Sequence, residues 1–171
     1  MSLAVLSLPN LIAQYFAGER QEMFLIFAGS ALVLALSAWL WVASRSGFSN
    51  ALLITTVLGA ILFSSAAGSL LVRDQKLTQQ LSAQIAQGQA DQVIQSETER
   101  VTVIVSKYKY YRYAAAVLLL IAMLGFLFSH RGWVHGMAVG LLLLVIAQIL
   151  IDYHSERRAN FYLDGLKVAT Q

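Results

Sequence analysis

The residues best equipped for chemistry are Asp152, His154, Glu156, Arg157 and Arg158, in the stretch DYHSERR. On a helix, Asp152 and Glu156 stand four apart and share a face, as do His154 and Arg158. Such an edge can hold an anionic headgroup, a cation or a proton; it can equally serve as interfacial anchoring with local ion pairs. A metal site is only weakly suggested. Two carboxylates and one histidine on a helix are common, and His130 and His135 lie across an intervening apolar segment. A second stretch, KYKYYRY, interleaves Lys107, Lys109 and Arg112 with Tyr108 and Tyr111. In a soluble protein this would suggest nucleic-acid stacking. Here it runs straight into an apolar segment, so it reads as an aromatic belt touching anionic lipid, with no nucleic-acid partner.

Gln148 is the main strongly polar residue deep in an apolar segment, expected to hydrogen-bond across to another helix at Ser64, Ser65 or a backbone carbonyl. The pattern GWVHGMAVG puts Gly132, Gly136 and Gly140 on one helix face. Thr56, Ala60, Ser64 and Gly68 repeat the same small-residue spacing. Both lines read as helix-packing seams, within the chain or between copies of it. The chain carries no G-x-S-x-G, H-E-x-x-H, P-loop or EF-hand pattern, so neither enzyme activity nor a cofactor is expected. It has no cysteine, which excludes disulfides, thiolate metal sites and a cysteine nucleophile.

These residues need elements to hold them, and the composition says which. Of 171 residues, 58% are hydrophobic and 12% charged, with a mean hydropathy of +0.65. A soluble domain carries about twice that charge fraction. Four uncharged segments are long enough to cross a bilayer or nearly so: 23–43, 51–72, 113–129 and 133–151. The third is short by itself, so its helix is expected to begin earlier, in the tyrosine-rich stretch. Backbone groups in lipid must be satisfied internally, so the expected fold is all-α, a polytopic membrane protein of four transmembrane helices in two hairpins. The start of the chain has no basic region before its apolar residues and is not read as a cleaved signal peptide.

Ten of the twelve Lys and Arg residues, and all nine acidic ones, fall in segments 1–22, 73–112 and 152–171. The net charge of +3 is therefore a topological signal. It places both termini and the central segment in the cytoplasm of a bacterial inner membrane. In the central segment, Leu77, Leu81 and Ile85 form a one-faced helical stripe, and Gly88 is the natural break. Beyond it, Ile94, Val101, Ile104 or Val105, Tyr108 and Tyr111 form a second apolar face. The β-branched run VTVIV would suit a strand, but a lone strand has no pairing partner, so helix is favoured. The expectation is a cytoplasmic helical hairpin extending spans 2 and 3, whose apolar stripe must bury against its partner arm, the N-terminal helix, the tail or another protein. Segment 1–22 is expected to hold a short interfacial helix after Pro9, with Leu11, Ile12, Tyr15 and Phe16 on its apolar face. The tail is expected to prolong the fourth span and then lie near the membrane surface.

A shift of 85 residues aligns Ser44 with Ser129, Gly47 with Gly132, Phe48 with Trp133 and Arg73 with Arg158. This is either a parallel duplication of one hairpin or two hairpins obeying the same turn chemistry. From Glu99 and Arg100 through KYKYYRY to DYHSERRANFYLDGL, the second half resembles small bacterial helical membrane modules in which basic, tyrosine-rich helices flank a hairpin. The span count and both-ends-in topology resemble the immunity proteins of pore-forming bacteriocins. Neither resemblance carries a specific motif, and no functional residue is transferred from it. The expected function is that of a non-enzymatic interaction protein: an accessory subunit, an assembly factor or an immunity-type protein. It would engage membrane lipids and a protein partner or a second copy. A small oligomeric channel or transporter, and a lipid-binding or lipid-modifying protein, are the alternatives.

Overall fold

A computed structural model describes residues 7–169. The ends of the expected N-terminal segment and tail, 1–6 and 170–171, lie outside the described residues. Four helices account for nearly everything else: α1 (Leu8–Ser44), α2 (Gly47–Ala86), α3 (Ala90–Phe128) and α4 (Gly132–Ala169). No strand occurs among the described residues, and VTVIV lies within α3. All four helices are long and apolar enough to span a membrane, so the chain is a multi-pass, all-α membrane protein. Each is 37 to 40 residues long, about 56–60 Å at 1.5 Å per residue, against about 30 Å of hydrocarbon. Every helix therefore projects several turns beyond its span. The turns at 45–46 and 129–131 close one end of the bundle, here the turn end. Gly88 and both ends of the described chain lie at the other, the terminal end.

Local chemistry sets these boundaries. Pro9 occupies the first turn of α1, where its missing N–H costs nothing. Ser46 and Ser49 form a reciprocal capping box that starts α2. Arg45 takes a left-handed conformation with its guanidinium 4.3 Å from the Trp41 ring centre. At the terminal end Gly88 has φ +78°, and the amides of Gly88 and Gln89 bond back to the carbonyls of Ile85 and Gln84. That is a Schellman stop, which needs a residue free to turn left-handed. The two turns at the other end meet reciprocally. Gly47 lies against Trp133, and Gly132 against the Phe48 amide. The residues aligned by the 85-residue shift thus occupy matching places.

Packing follows a seven-residue rhythm. The buried positions include Ile94, Val101, Tyr108, Ala115 and Ala122 on α3; Ala138, Val145, Asp152, Ala159 and Leu166 on α4; and Ala60, Ala67, Asp74 and Leu81 on α2. That spacing keeps one seam facing its neighbour when helices wrap left-handedly. Within the spans the seam residues are mostly small, so backbones approach closely where lipid supplies no hydrophobic drive. Beyond the spans they are mostly large, and burying Val101 or Leu166 from water contributes about 1.5–3 kcal/mol each. Conversely, Leu62 and Leu127 remain 68% and 65% exposed, tolerable on a lipid-facing surface.

Two sequence expectations are corrected here. Segment 8–22 is not a separate interfacial helix; it is the start of α1, and Leu11, Ile12, Tyr15 and Phe16 are buried in a core outside the spans. The tail does not turn along the membrane surface, because α4 continues to Ala169 and carries Tyr162, Leu163 and Leu166 into the same core. The reason is the stripe on the central segment. Leu81, Val93, Ile94 and Val101, with Leu77, Ile85 and Val105 packed against them, need an apolar cover outside the membrane. α1 and α4 supply it, with Tyr15 stacked on Tyr162 at 4.3 Å. Tyr111, expected on the buried face of α3, is exposed.

Candidate functional site

Toward the terminal end each helix carries a buried carboxylate: Glu22 on α1, Asp74 on α2 and Asp152 on α4 near the ends of their spans, and Glu97 on α3 farther out, beside the core that holds Tyr162. Buried charge is costly unless paired, and three of the four have an arginine. Arg158 reaches from α4 to Glu22, which also accepts from the Ser155 hydroxyl. Arg73 holds Asp74 Oδ1 through Nε at 2.9 Å and Nη2 at 2.7 Å. Arg100 grips Glu97 bidentately at 2.8 and 2.7 Å, and the Tyr162 hydroxyl donates to the same carboxylate at 3.1 Å. Asp152 Oδ1 accepts from Gln148 Nε2 at 2.7 Å. Burial raises the Asp152 carboxyl above the ordinary range; the Gln148 bond opposes this, and the nearby charges of Glu22 and Glu156 add to it. Burial also pushes the Tyr108 hydroxyl up to about 12.

The expected site residues are thereby sorted. Arg158 turns inward, Arg157 stays exposed, and Glu156 pairs with Arg112 of α3 at 2.7 Å. Of the tyrosine-rich stretch, Tyr108 is buried, while Lys107, Lys109, Arg112 and Tyr111 remain on the surface. Gln148 does not cross to Ser64 or Ser65. The Asp152 carboxylate one turn along its own helix is the nearer acceptor and needs a donor. The glycine line divides as well. A Cβ on Gly136 would overlap the Phe48 carbonyl oxygen and sit 3.1 Å from the Leu52 amide nitrogen. One on Gly140 would lie 2.8 Å from Thr55 Cβ, whereas Gly132 makes only ordinary contact. On α2, Thr56 and Ala60 are buried, Ser64 is half-buried, and the Cβ position of Gly68 faces open space. The α2–α4 seam also uses Gly59, which receives the Leu144 side chain, and Ser49 of the capping box is fully buried.

α4 packs extensively on α2 and α3 but only sparsely on α1. Between α1 and α4, over a floor of α2, this leaves a crevice of about 470 Å³. Its walls within the spans include Leu25, Ile26, Val33, Leu144 and Ile151; Glu22, His154 and Arg158 lie at its terminal end. A second cavity of about 380 Å³ continues past the span, lined by Gln14, Tyr15 and Phe161 among others. The two share Gly18, Gln21 and Arg158. Arg158 fits there because Gly18 has no side chain: a Cβ would lie 2.7 Å from Arg158 Cδ. Arg158 Nε is buried there without a hydrogen-bond partner. His154 and Arg158, paired by spacing in the sequence, thus line the same crevice.

Sequence reasoning did not single out Glu19, Glu22, Asp74, Glu97 or Arg100 as site residues. The available signal was the heptad, since Asp74 and Asp152 occupy seam positions and Glu97 lies three residues after Ile94. The fold defines a four-helix membrane protein with a crevice between its first and last helices. The chain matches no protein-family profile, no curated protein and no solved structure.

Proposed function

We propose that this chain is a non-enzymatic interaction protein of a bacterial inner membrane, with its terminal end in the cytoplasm, and that its partner is a membrane lipid. The lipid's acyl chain would lie in the α1–α4 crevice. The observation that carries this reading is the crevice itself: an apolar slot with an arginine donor unpartnered at its polar end. Its volume is in the usual range for ligand sites. A phosphate or ester oxygen of the headgroup would lie at that polar end beside His154 and Arg158, at the depth where headgroups sit. The asymmetry of Lys and Arg supports the cytoplasmic assignment.

The reading as a protein-binding hairpin drew on an apolar stripe that the chain now covers with its own α1 and α4. The crevice is an apolar surface that no helix of the described chain fills. Gly29 offers the test, because it lines the crevice and its Cβ position meets nothing within 4 Å. Gly29→Leu should fill the slot without disturbing the bundle. Native mass spectrometry from mild detergent should show lipid retained by the parent chain and lost from the variant. Equal retention by both, or a crevice occupied by a second copy of the chain, would contradict the proposal.

A further inference from the structure

Around α1 the charges do not balance. Glu19, Glu22, Asp74 and Glu97 are four carboxylates facing three arginines, and each arginine is already bonded to one of them: Arg158 to Glu22, Arg73 to Asp74, Arg100 to Glu97. Glu19 is left over. Its Oε1 accepts from the Tyr15 hydroxyl at 2.6 Å. Its other oxygen, Oε2, and Asp74 Oδ2 are both buried and neither has a donor. The Asp74 side chain is only 9% exposed. Asp74 lies within hydrogen-bonding reach of Glu19 across the packed α1–α2 contact. Two carboxylate oxygens are both acceptors, so a bond between them would require a proton.

We propose that Glu19 and Asp74 form a proton-binding site, in which a neutral Glu19 donates to Asp74 Oδ2 and ties α1 to α2 where they leave the membrane. Every helix contributes charged or titratable neighbours to Glu19: Tyr15 on α1, Asp74 with its partner Arg73 on α2, Arg100 and Tyr108 on α3, Arg158 and Tyr162 on α4. The arginines attract the ionised form, but each is already bonded to another carboxylate. Burial, then the Asp74 bond, pushes the Glu19 carboxyl up to about 7. The proton is therefore held in mildly acidic medium and released near neutrality. Release leaves two neighbouring carboxylates with no donor between them, which loosens the α1–α2 contact below the crevice.

The test uses the full chain in lipid nanodiscs. The infrared carbonyl band of a protonated carboxylic acid is followed as pH rises through about 7. The parent should show this band and lose it over that interval. Glu19→Gln, whose amide can still donate to Asp74, should lack the titrating band while remaining folded. Asp74→Asn should retain the band but titrate at a proton concentration at least about tenfold higher, because the facing carboxylate is gone. A band absent from the parent below neutral pH, or unchanged in Glu19→Gln, overturns the proposal. So does a parent without the band whose melting temperature climbs with added sodium, potassium or calcium chloride, since a metal cation would then fill the gap.

Discussion

Gly136→Ala isolates the closest approach in the spanning bundle. The new methyl carbon would overlap the Phe48 carbonyl oxygen and lie 3.0 Å from the Phe48 carbonyl carbon and 3.1 Å from the Leu52 amide nitrogen. These are backbone atoms of α2, so no rotamer change relieves the clash and the helices must separate. Overpacking of this kind costs about 1–3 kcal/mol, and a backbone obstruction belongs at the upper end. Against it stands the gain in helix propensity from Gly to Ala, at most about 1 kcal/mol. The net expectation is a loss of about 2 kcal/mol. Gly68→Ala is the matched control on the same helix pair, since its Cβ would meet nothing within 4 Å. It should be neutral or stabilising by up to about 1 kcal/mol. Reversible unfolding in mixed micelles reads both. If Gly136→Ala proved as stable as Gly68→Ala, the α2–α4 seam would not be the close contact described.

Tyr162→Phe removes a hydrogen bond to the Glu97 carboxylate at 3.1 Å while leaving the ring stacked on Tyr15; a loss of about 1.5 kcal/mol is expected in the same assay, against no change for the exposed Tyr153→Phe. Stability should also depend on pH through Glu19. Its carboxyl binds a proton more tightly in the folded chain, at about 7 against an ordinary 4.5. The contribution is full below about 4.5 and lost as pH rises through about 7, about 3 kcal/mol in all, and Glu19→Gln should flatten that interval in thermal unfolding.

What could be read from the sequence was carried by local composition. The four spans, the stop at Gly88 and the early start of the third helix each depend on a single stretch of chain. What could not be read depended on register between stretches. Leu11 and Tyr15 looked interfacial because nothing local shows that Tyr162 and Leu166 come back to cover them. Glu22 and Asp74 were not singled out because their burial is set by neighbouring helices rather than by the local sequence. Gly59 was passed over because its role is set by Leu144 on another helix. Gln148 was assigned across the bundle when its acceptor lay one turn away on α4. The crevice had no sequence signal, since it is the space left where α1 and α4 fail to meet.

Lipid occupancy of that space is the central claim, and photo-crosslinking reads it most directly. A phospholipid carrying a diazirine on its acyl chain is incorporated with the chain in nanodiscs, activated, and mapped by peptide mass spectrometry. The account predicts adducts concentrated on Leu25, Ile26, Leu144 and Ile151, suppressed by excess unlabelled lipid and lost in Gly29→Leu. Adducts spread evenly over the lipid-facing surface, with Leu62 and Leu127 labelled as strongly as the crevice, would contradict it.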